Sequence, residues 1–211
     1  GGNGVLDVTA LTLRQGSDNA ELYAALRNGG EVPACHAALS VELFDAAGQS
    51  LAAGITGLLT PQLYHLSDDA GTIAACVGPG EVTMAAVTDL PSELEVEAVQ
   101  TVVYRCPYFA LDVEPVGSLD VRDLKANSGT DGTKYTGTLV NRLEVKVSRP
   151  TVSVFPVNRV GRPLGVASSS GALDLAPGRE YVFVCDFSDS PDAPPHTALG
   201  MFGSIRVRKR R

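Results

Sequence analysis

Residues 38–44 read Ala-Leu-Ser-Val-Glu-Leu-Phe, a stretch in which apolar and polar side chains largely alternate. Successive side chains of a β-strand point to opposite faces of the sheet, so this alternation predicts a strand with one buried face. Residues 45–48, Asp-Ala-Ala-Gly, follow directly and combine typical turn residues, with a glycine suited to positive φ. The stretch therefore predicts a central strand that ends in a tight turn.

Stretches of this kind recur along the 211 residues, and turn signals separate them every 8–14 residues or so, at roughly the spacing of strands in an all-β domain. The apolar residues are mainly Val, Leu and Ala, and 22 glycines and 13 prolines punctuate the chain. Such a pattern favours many short strands over helices, so we predict an all-β protein. The predicted strands cover 5–13, 20–27, 36–44, 50–56, 72–76, 81–88 and 97–105, then 118–126, 133–140, 147–157, 163–168, 180–187 and 202–209.

The sequence repeats itself at an offset of 113 residues. Leu6-Asp7-Val8 matches Leu119-Asp120-Val121, and further matches follow without gaps as far as Leu51. Beyond that residue the offset falls to 98, where Pro79-Gly80 matches Pro177-Gly178. A fixed offset is the signature of a duplicated unit. We therefore predict two tandem domains, 1–113 and 114–211, of which the first carries 15 extra residues in an inserted loop at about 57–75.

Six or seven short strands in each copy indicate a two-sheet Greek-key β-sandwich. Three segments of the first copy, 26–30, 39–48 and 77–81, resemble the FxLYD-type immunoglobulin-like domain of bacterial envelope proteins. The resemblance implies an immunoglobulin-like sandwich of the kind found in lipoproteins and secreted proteins, and it implies no catalytic residue. The second copy departs from the pattern, because Phe155-Pro156-Val157-Asn158 stands where Leu-Phe-Asp would be.

Four cysteines, Cys35, Cys76, Cys106 and Cys185, occur without a C-x-x-C pair. In a small strand-rich chain this usage favours disulfides over zinc or thioredoxin-like chemistry. Two of these positions, 35 and 76, correspond to Ser148 and Asp174 in the second copy. Because both cysteines are lost together, we predict that Cys35 pairs with Cys76.

By elimination, the second bridge would join Cys106 to Cys185. A strict seven-strand topology instead places Cys76 and Cys106 at the same pole, so that pairing stays open. Disulfides predict an oxidising, extracytoplasmic setting, which means the periplasm, the cell surface or the exterior. The glycine-rich start, Gly1-Gly2-Asn3-Gly4, fits either a cloning remnant or the residues after a removed export segment, including a lipid anchor.

Charge is divided unevenly between the copies. Residues 1–113 hold three basic and fourteen acidic side chains, a net charge of −11, whereas residues 114–211 hold fourteen basic and ten acidic, a net charge of +4. The basic excess concentrates at the C-terminus and predicts contact with an anionic surface. Nucleic acid is not expected, because the chain is acidic overall and lacks interleaved aromatics, and no apolar run is long enough to span a bilayer. The basic residues are Arg206, Arg208, Lys209, Arg210 and Arg211.

Signatures of chemistry are missing from the sequence. The three histidines, His36, His65 and His196, show neither metal-ligand nor catalytic spacing, and no nucleophile elbow, phosphate-binding loop or dinucleotide fingerprint occurs. We expect no catalysis, cofactor or metal. His36, at a strand start, and His196, in a loop, are interpreted as structural or surface residues.

The inserted loop holds the strongest polar cluster, Tyr64, His65, Asp68 and Asp69. Adjacent carboxylates supply hard oxygen ligands, so the cluster is a candidate calcium or sugar site. The alternative is a loop that packs its own leucines over a sheet edge. The sequence as a whole favours a non-catalytic binding or adhesion-type module that acts through protein or glycan contacts. A structural spacer and a hydrolase with its site in the inserted loop are the alternatives.

Overall fold

The computed structural model describes residues 6–15, 19–58, 62–66, 73–91, 95–104, 113–171, 174–187, 196–201 and 204–205. These residues form strands and turns with no helix, which confirms the predicted all-β class. The strands are β1 (Leu6–Gln15), β2 (Asn19–Asn28), β3 (Ala34–Cys35), β4 (Ala38–Phe44), β5 (Ser50–Gly57), β6 (Gln62–Leu66), β7 (Ile73–Val77), β8 (Val82–Pro91), β9 (Ala98–Tyr104), β10 (Val113–Gly129), β11 (Gly132–Asn141), β12 (Val147–Ser148), β13 (Thr151–Pro156), β14 (Ala167–Ser170), β15 (Glu180–Phe187), β16 (His196–Met201) and β17 (Ser204–Ile205).

The chain divides into two compact units. The first comprises residues 1–59, 77–109 and 161–164, and the second comprises 60–76, 110–160 and 165–211. The insertion therefore lies in the second unit, although the sequence repeat assigns it to the first copy. The reason is a strand pairing: β6, inside the insertion, pairs with the first part of β10.

The first unit packs one three-stranded sheet, β1-β2-β8, on another, β5-β4-β9. Leu22 and Leu26 of β2 meet Val41 and Leu43 of β4 in one buried cluster, which Ala85 of β8 joins. Apolar residues from two facing sheets share a single core in a β-sandwich. The first unit therefore has β-sandwich character.

The second unit repeats this plan with β10-β11-β15, which are part of a six-stranded sheet, and with β14-β13-β16. Its core joins Tyr135 and Leu139 of β11 to Val152 and Val154 of β13 and to Phe183 of β15. The larger aromatic side chains replace smaller aliphatic ones of the first unit. Both units thus bury apolar side chains between two antiparallel sheets.

Strand register follows the two offsets found in the sequence. Leu6 pairs with Asn28, and Leu119 pairs with Asn141. In the second sheet, Val41 opposite Gly54 matches Val154 opposite Ala167. A one-residue slip would turn every side chain to the other face, so matched register means matched inward and outward positions. Corresponding residues of the two copies can therefore be compared directly.

A buried asparagine anchors the corner of each sandwich. Asn28 donates through Nδ2 to the carbonyl oxygens of Val32 and Val77, both at 2.8 Å, and its Oδ1 accepts from the Gly30 amide at 2.9 Å. Unpaired carbonyls at such depth would be costly, and one side chain satisfies both of them.

The second unit contains the same network around Asn141. Its Nδ2 donates to Val145 and Leu175 and its Oδ1 accepts from the Leu143 amide, each at 2.9 Å. Every partner lies 113 or 98 residues beyond its counterpart in the first unit. The same three side-chain hydrogen bonds therefore hold the corner in both units.

Positive φ angles recur at matched positions as well. Gly48 and Gly161 have φ of 75° and 79°, and Gly80 and Gly178 have 74° and 70°. At the Asp45 turn, the carboxylate accepts from the Ala47 and Gln49 amides at 2.9 and 2.8 Å. The turns predicted at Gly48, Gly80 and Gly178 are present, and a further one lies at Gly161.

The strand predicted over 163–168 is β14 at Ala167–Ser170, and two other strands, β16 and β6, were not predicted. The last long strand is β16, followed by the short β17, rather than a strand over 202–209, of which the structure describes residues 204–205. His196 therefore begins a strand opposite Pro156 instead of lying in a loop. The strand β6 was not predicted either. Both strands pair with residues distant in sequence, and such pairing overrides weak local preference.

Candidate functional site

The insertion forms a β-hairpin rather than a loop. Leu63 of β6 pairs with Ala75 of β7 on one side and with Gly117 of β10 on the other. The Leu63 side chain is buried in the core of the second unit. The prediction of a loop packed over a sheet edge is therefore wrong, because the backbone polar groups of these residues enter the sheet ladder.

Gly117 lies where β10 changes partner from β6 to β11. Its φ is 136°, and a Cβ there would lie 2.9 Å from the Arg142 carbonyl oxygen and 3.2 Å from Leu143 Cδ2. Only glycine fits this conformation and this close approach. The attachment of the hairpin to the second unit thus depends on this residue.

The structure places only part of the predicted site in the hairpin. Tyr64 is buried, and its hydroxyl donates to Gln62 Oε1 at 2.8 Å. His65 lies opposite Glu114 in the register of β6 and β10. Asp68 and Asp69 lie outside the described residues, so a ligand site in the insertion stays a prediction. No group of three or more His, Cys, Asp or Glu side chains in the described part of the chain could hold a metal ion.

Cys35 and Cys76 form a disulfide, which confirms the predicted pair. Their counterparts in the second copy are also in contact: the Ser148 hydroxyl donates to Asp174 Oδ1 at 2.8 Å. Lys146 Nζ lies 2.6 Å from the other carboxylate oxygen of Asp174. A polar cluster therefore stands where the first copy has its cross-link.

Cys185 is a free thiol, so the predicted Cys106–Cys185 bridge is wrong. The offset of 98 places Cys185 at the position of Val87, and both side chains are buried in their cores. Burial, together with the neighbouring Asp186 carboxylate, raises the pKa of the Cys185 thiol to about 11. The thiol stays neutral and unreactive at physiological pH. Cys106 lies outside the described residues.

The remaining polar candidates are His36 and the basic residues at the C-terminus. His36 is exposed in the turn after β3, with a φ of 48°, and its counterpart Arg149 has a φ of 47°. The basic residues at 206–211 lie outside the described part of the chain, so their contact with an anionic surface stays a prediction. Within the described ranges, no helix is long and apolar enough to cross a membrane.

One surface of the first unit carries two exposed aliphatic side chains. Val41 and its inward neighbours on β4 point into the core, so the alternate residues form the outer face of the sheet β5-β4-β9. Ile55 and Val102 on this face are 67% and 51% exposed, and they flank Ser40 in one cross-strand row. We call this surface the open face. Its four rows are Gly57–Ala38, Ile55–Ser40–Val102, Ala53–Glu42–Gln100 and Ser50–Phe44–Ala98.

The corresponding surface of the second unit is covered. Ser153 and Phe155 stand at the positions of Ser40 and Glu42, and they are 2% and 0% exposed. Ser153 also shares a hydrogen bond of 2.8 Å with Ser168 of β14. The same sheet is therefore closed in one unit and open in the other.

The alternation of side chains along β4 indicates part of the open face from the sequence alone. Val41 points inward, so Ser40 and Glu42 must point outward by alternation alone. Which residues of β5 and β9 join them depends on cross-strand register, and a single sequence does not specify that register.

Comparisons with known proteins leave the function open. No family model matches the chain, and no curated protein does. Among solved structures, the exo-chitosanase CsxA of Amycolatopsis orientalis aligns over 93% of this chain and 26% of its own length, with 12% identity and a TM-score of 0.28. This chain thus spans about a quarter of that enzyme, and a likeness this low supports no inference.

Proposed function

We propose that this chain is a non-catalytic contact module of an extracytoplasmic protein, acting through protein contacts on the open face. The observation that carries the proposal is the exposure of Ile55 and Val102 on a sheet whose counterpart in the second unit is covered. The two side chains lie in one row on either side of Ser40, and exposed apolar groups clustered on one face are a mark of interaction sites. Aliphatic side chains gain free energy against another apolar surface, which favours a protein partner over a glycan.

Two further observations support the setting. The Cys35–Cys76 disulfide is of the kind that persists in oxidising compartments. The resemblance of the first copy to FxLYD-type domains implies the same location. The immunoglobulin-like assignment and a lipid anchor belong to this proposal.

A photo-cross-linking experiment in the native host tests the contact. A photoreactive amino acid is placed at position 55, or at position 182 on another sheet, where Val182 is 72% exposed. We expect a specific cross-linked product from position 55 and none from position 182. Equal yields at the two positions, or none at position 55, would contradict the proposal.

The compartment is tested on the same cells. Trapping free thiols with a maleimide during lysis should leave Cys35 and Cys76 unlabelled, because the oxidised pair does not react. Labelling of both before any reductant is added would place the chain in a reducing compartment.

A further inference from the structure

We infer that the open face binds a second copy of this chain, face to face, in a weak two-fold dimer. This inference names the partner and so rests on the proposed function. It starts from the charge of the surface: of the eleven described positions in the four rows, only Glu42 is ionisable at neutral pH. Charged side chains are depleted from the centres of protein interfaces.

The outer face of the sheet that contains β10, β11 and β15 carries more charge than the open face. In the second unit, β10, β11 and β15 present six charged side chains at twelve outward positions, in addition to the exposed Val182 and Val184. Such a mixed surface is suited to water. The open face is therefore distinguished by its lack of charge as well as by exposed aliphatic groups. The six charged residues are Asp120, Arg122, Lys125, Lys134, Glu180 and Asp186.

The rows of the open face can pack against different rows of a second copy. A two-fold axis in the plane of the interface, parallel to the rows and between Ser40 and Glu42, stacks each strand on its own copy. Ile55 then faces Ala53 of the second copy, and Val102 faces Gln100. Ser40 faces Glu42, so its hydroxyl can donate to the one carboxylate of the surface. A large group on a small one, as in Ile55 on Ala53, and a donor on an acceptor suit a self-complementary two-fold interface.

The area of the open face limits the affinity of the proposed dimer. Three strands about 4.8 Å apart, with four same-face residues about 7 Å apart on each strand, cover roughly 300 Å² per copy. A total of about 600 Å² is well below the roughly 1,200 Å² of a stable interface. The dimer should therefore form only at high protein concentration, with a Kd on the order of 100 µM.

Charge sets the salt dependence. The first unit holds four basic and eleven acidic side chains, a net charge of −7, so two copies repel each other. Added salt screens this repulsion and should strengthen the dimer. A contact between oppositely charged surfaces would respond in the reverse direction.

Sedimentation velocity of the full chain, from about 1 µM to about 1 mM, tests the inference at about 50 and about 500 mM NaCl. We expect a dimer that is more populated at the higher salt concentration. Val102→Asp and Ile55→Asp should weaken association at least about tenfold, since each buries a charge without a partner. Val82→Asp is the matched control, because Val82 is also 51% exposed but lies on β8. The melting temperature of each variant verifies folding.

Three results would overturn the inference: a monomer at about 1 mM in both salt concentrations, association that weakens with salt, or an equal effect of Val82→Asp. A monomeric protein that still cross-links through position 55 in cells would remove the second copy as partner and leave the proposed function standing. A dimer in vitro without cross-linking in cells would support the second copy as a partner and would contradict the proposed contact in cells.

Discussion

The two copies close the same corner by different chemistry. The first copy joins Cys35 to Cys76 by a disulfide, and the second places the Ser148 hydroxyl 2.8 Å from the Asp174 carboxylate. The asparagine network next to each pair is the same. The comparison teaches that the backbone framework positions these side chains, whereas the bond between them is free to vary.

The cores show the same lesson in packing. Ala24 and Ala85 in the first unit correspond to Gly137 and Phe183 in the second, and all four residues are buried. A Cβ on Gly137 would lie only 2.7 Å from Phe183 Cζ. The second unit therefore places the large side chain of Phe183 beside a glycine, whereas the first unit places two alanines beside each other. Interiors are close-packed, so such changes must occur in compensating pairs.

Removing the disulfide should give the largest effect on this comparison. Cys35→Ala with Cys76→Ala opens a loop of about 40 residues, and the chain-entropy model predicts a loss of about 4 kcal/mol of unfolding free energy, measured by urea denaturation. Asp174→Ala in the second copy should cost less than about 1 kcal/mol, because its partners are exposed. Cys185→Ala serves as the control for losing a buried cysteine without a cross-link. Equal losses at the two corners would break the comparison.

The asparagines should rank next, and equally. Asn28→Ala and Asn141→Ala each leave two buried carbonyl oxygens and one amide without their partner, for a loss of about 3 kcal/mol each. Asn127→Ala, at an exposed position on β10, is the control. If one corner tolerated the change within about 0.5 kcal/mol, the two networks would not be equivalent.

The glycine and phenylalanine pair should give the smallest effect. Gly137→Ala overpacks the core against Phe183 and should cost about 2 kcal/mol. In a Phe183→Leu background the same change should cost about 1 kcal/mol, because the Arg122 carbonyl oxygen still lies 3.0 Å from the new Cβ, and a double-mutant cycle measures the difference. Gly129→Ala, where the nearest atom would be 3.8 Å from the new Cβ, controls for the change in chain entropy. An unchanged cost in both backgrounds would show that the clash is not the cause.

Local patterns were enough to predict the all-β class, the turns at Gly48 and Gly178, and the Cys35–Cys76 pair. Each depends on neighbouring residues or on the offset between the copies. The offset also argues against a disulfide at Cys185, because this residue corresponds to Val87, a core position. The strand at 62–66 could not be predicted, because its partner in β10 lies about 50 residues away. Nothing in the sequence of either segment identifies the other as its pairing partner. The open face required cross-strand register for the same reason.

The shared framework is tested most directly by moving the cross-link. Ser148→Cys combined with Asp174→Cys places two thiols at the positions that correspond to Cys35 and Cys76. The account predicts that they oxidise to a disulfide without rearrangement, which peptide mapping under non-reducing conditions detects, and that the chain gains up to about 3 kcal/mol. Two free thiols under oxidising conditions, with Cys35–Cys76 still paired, would contradict the claim that both copies position these residues in the same way.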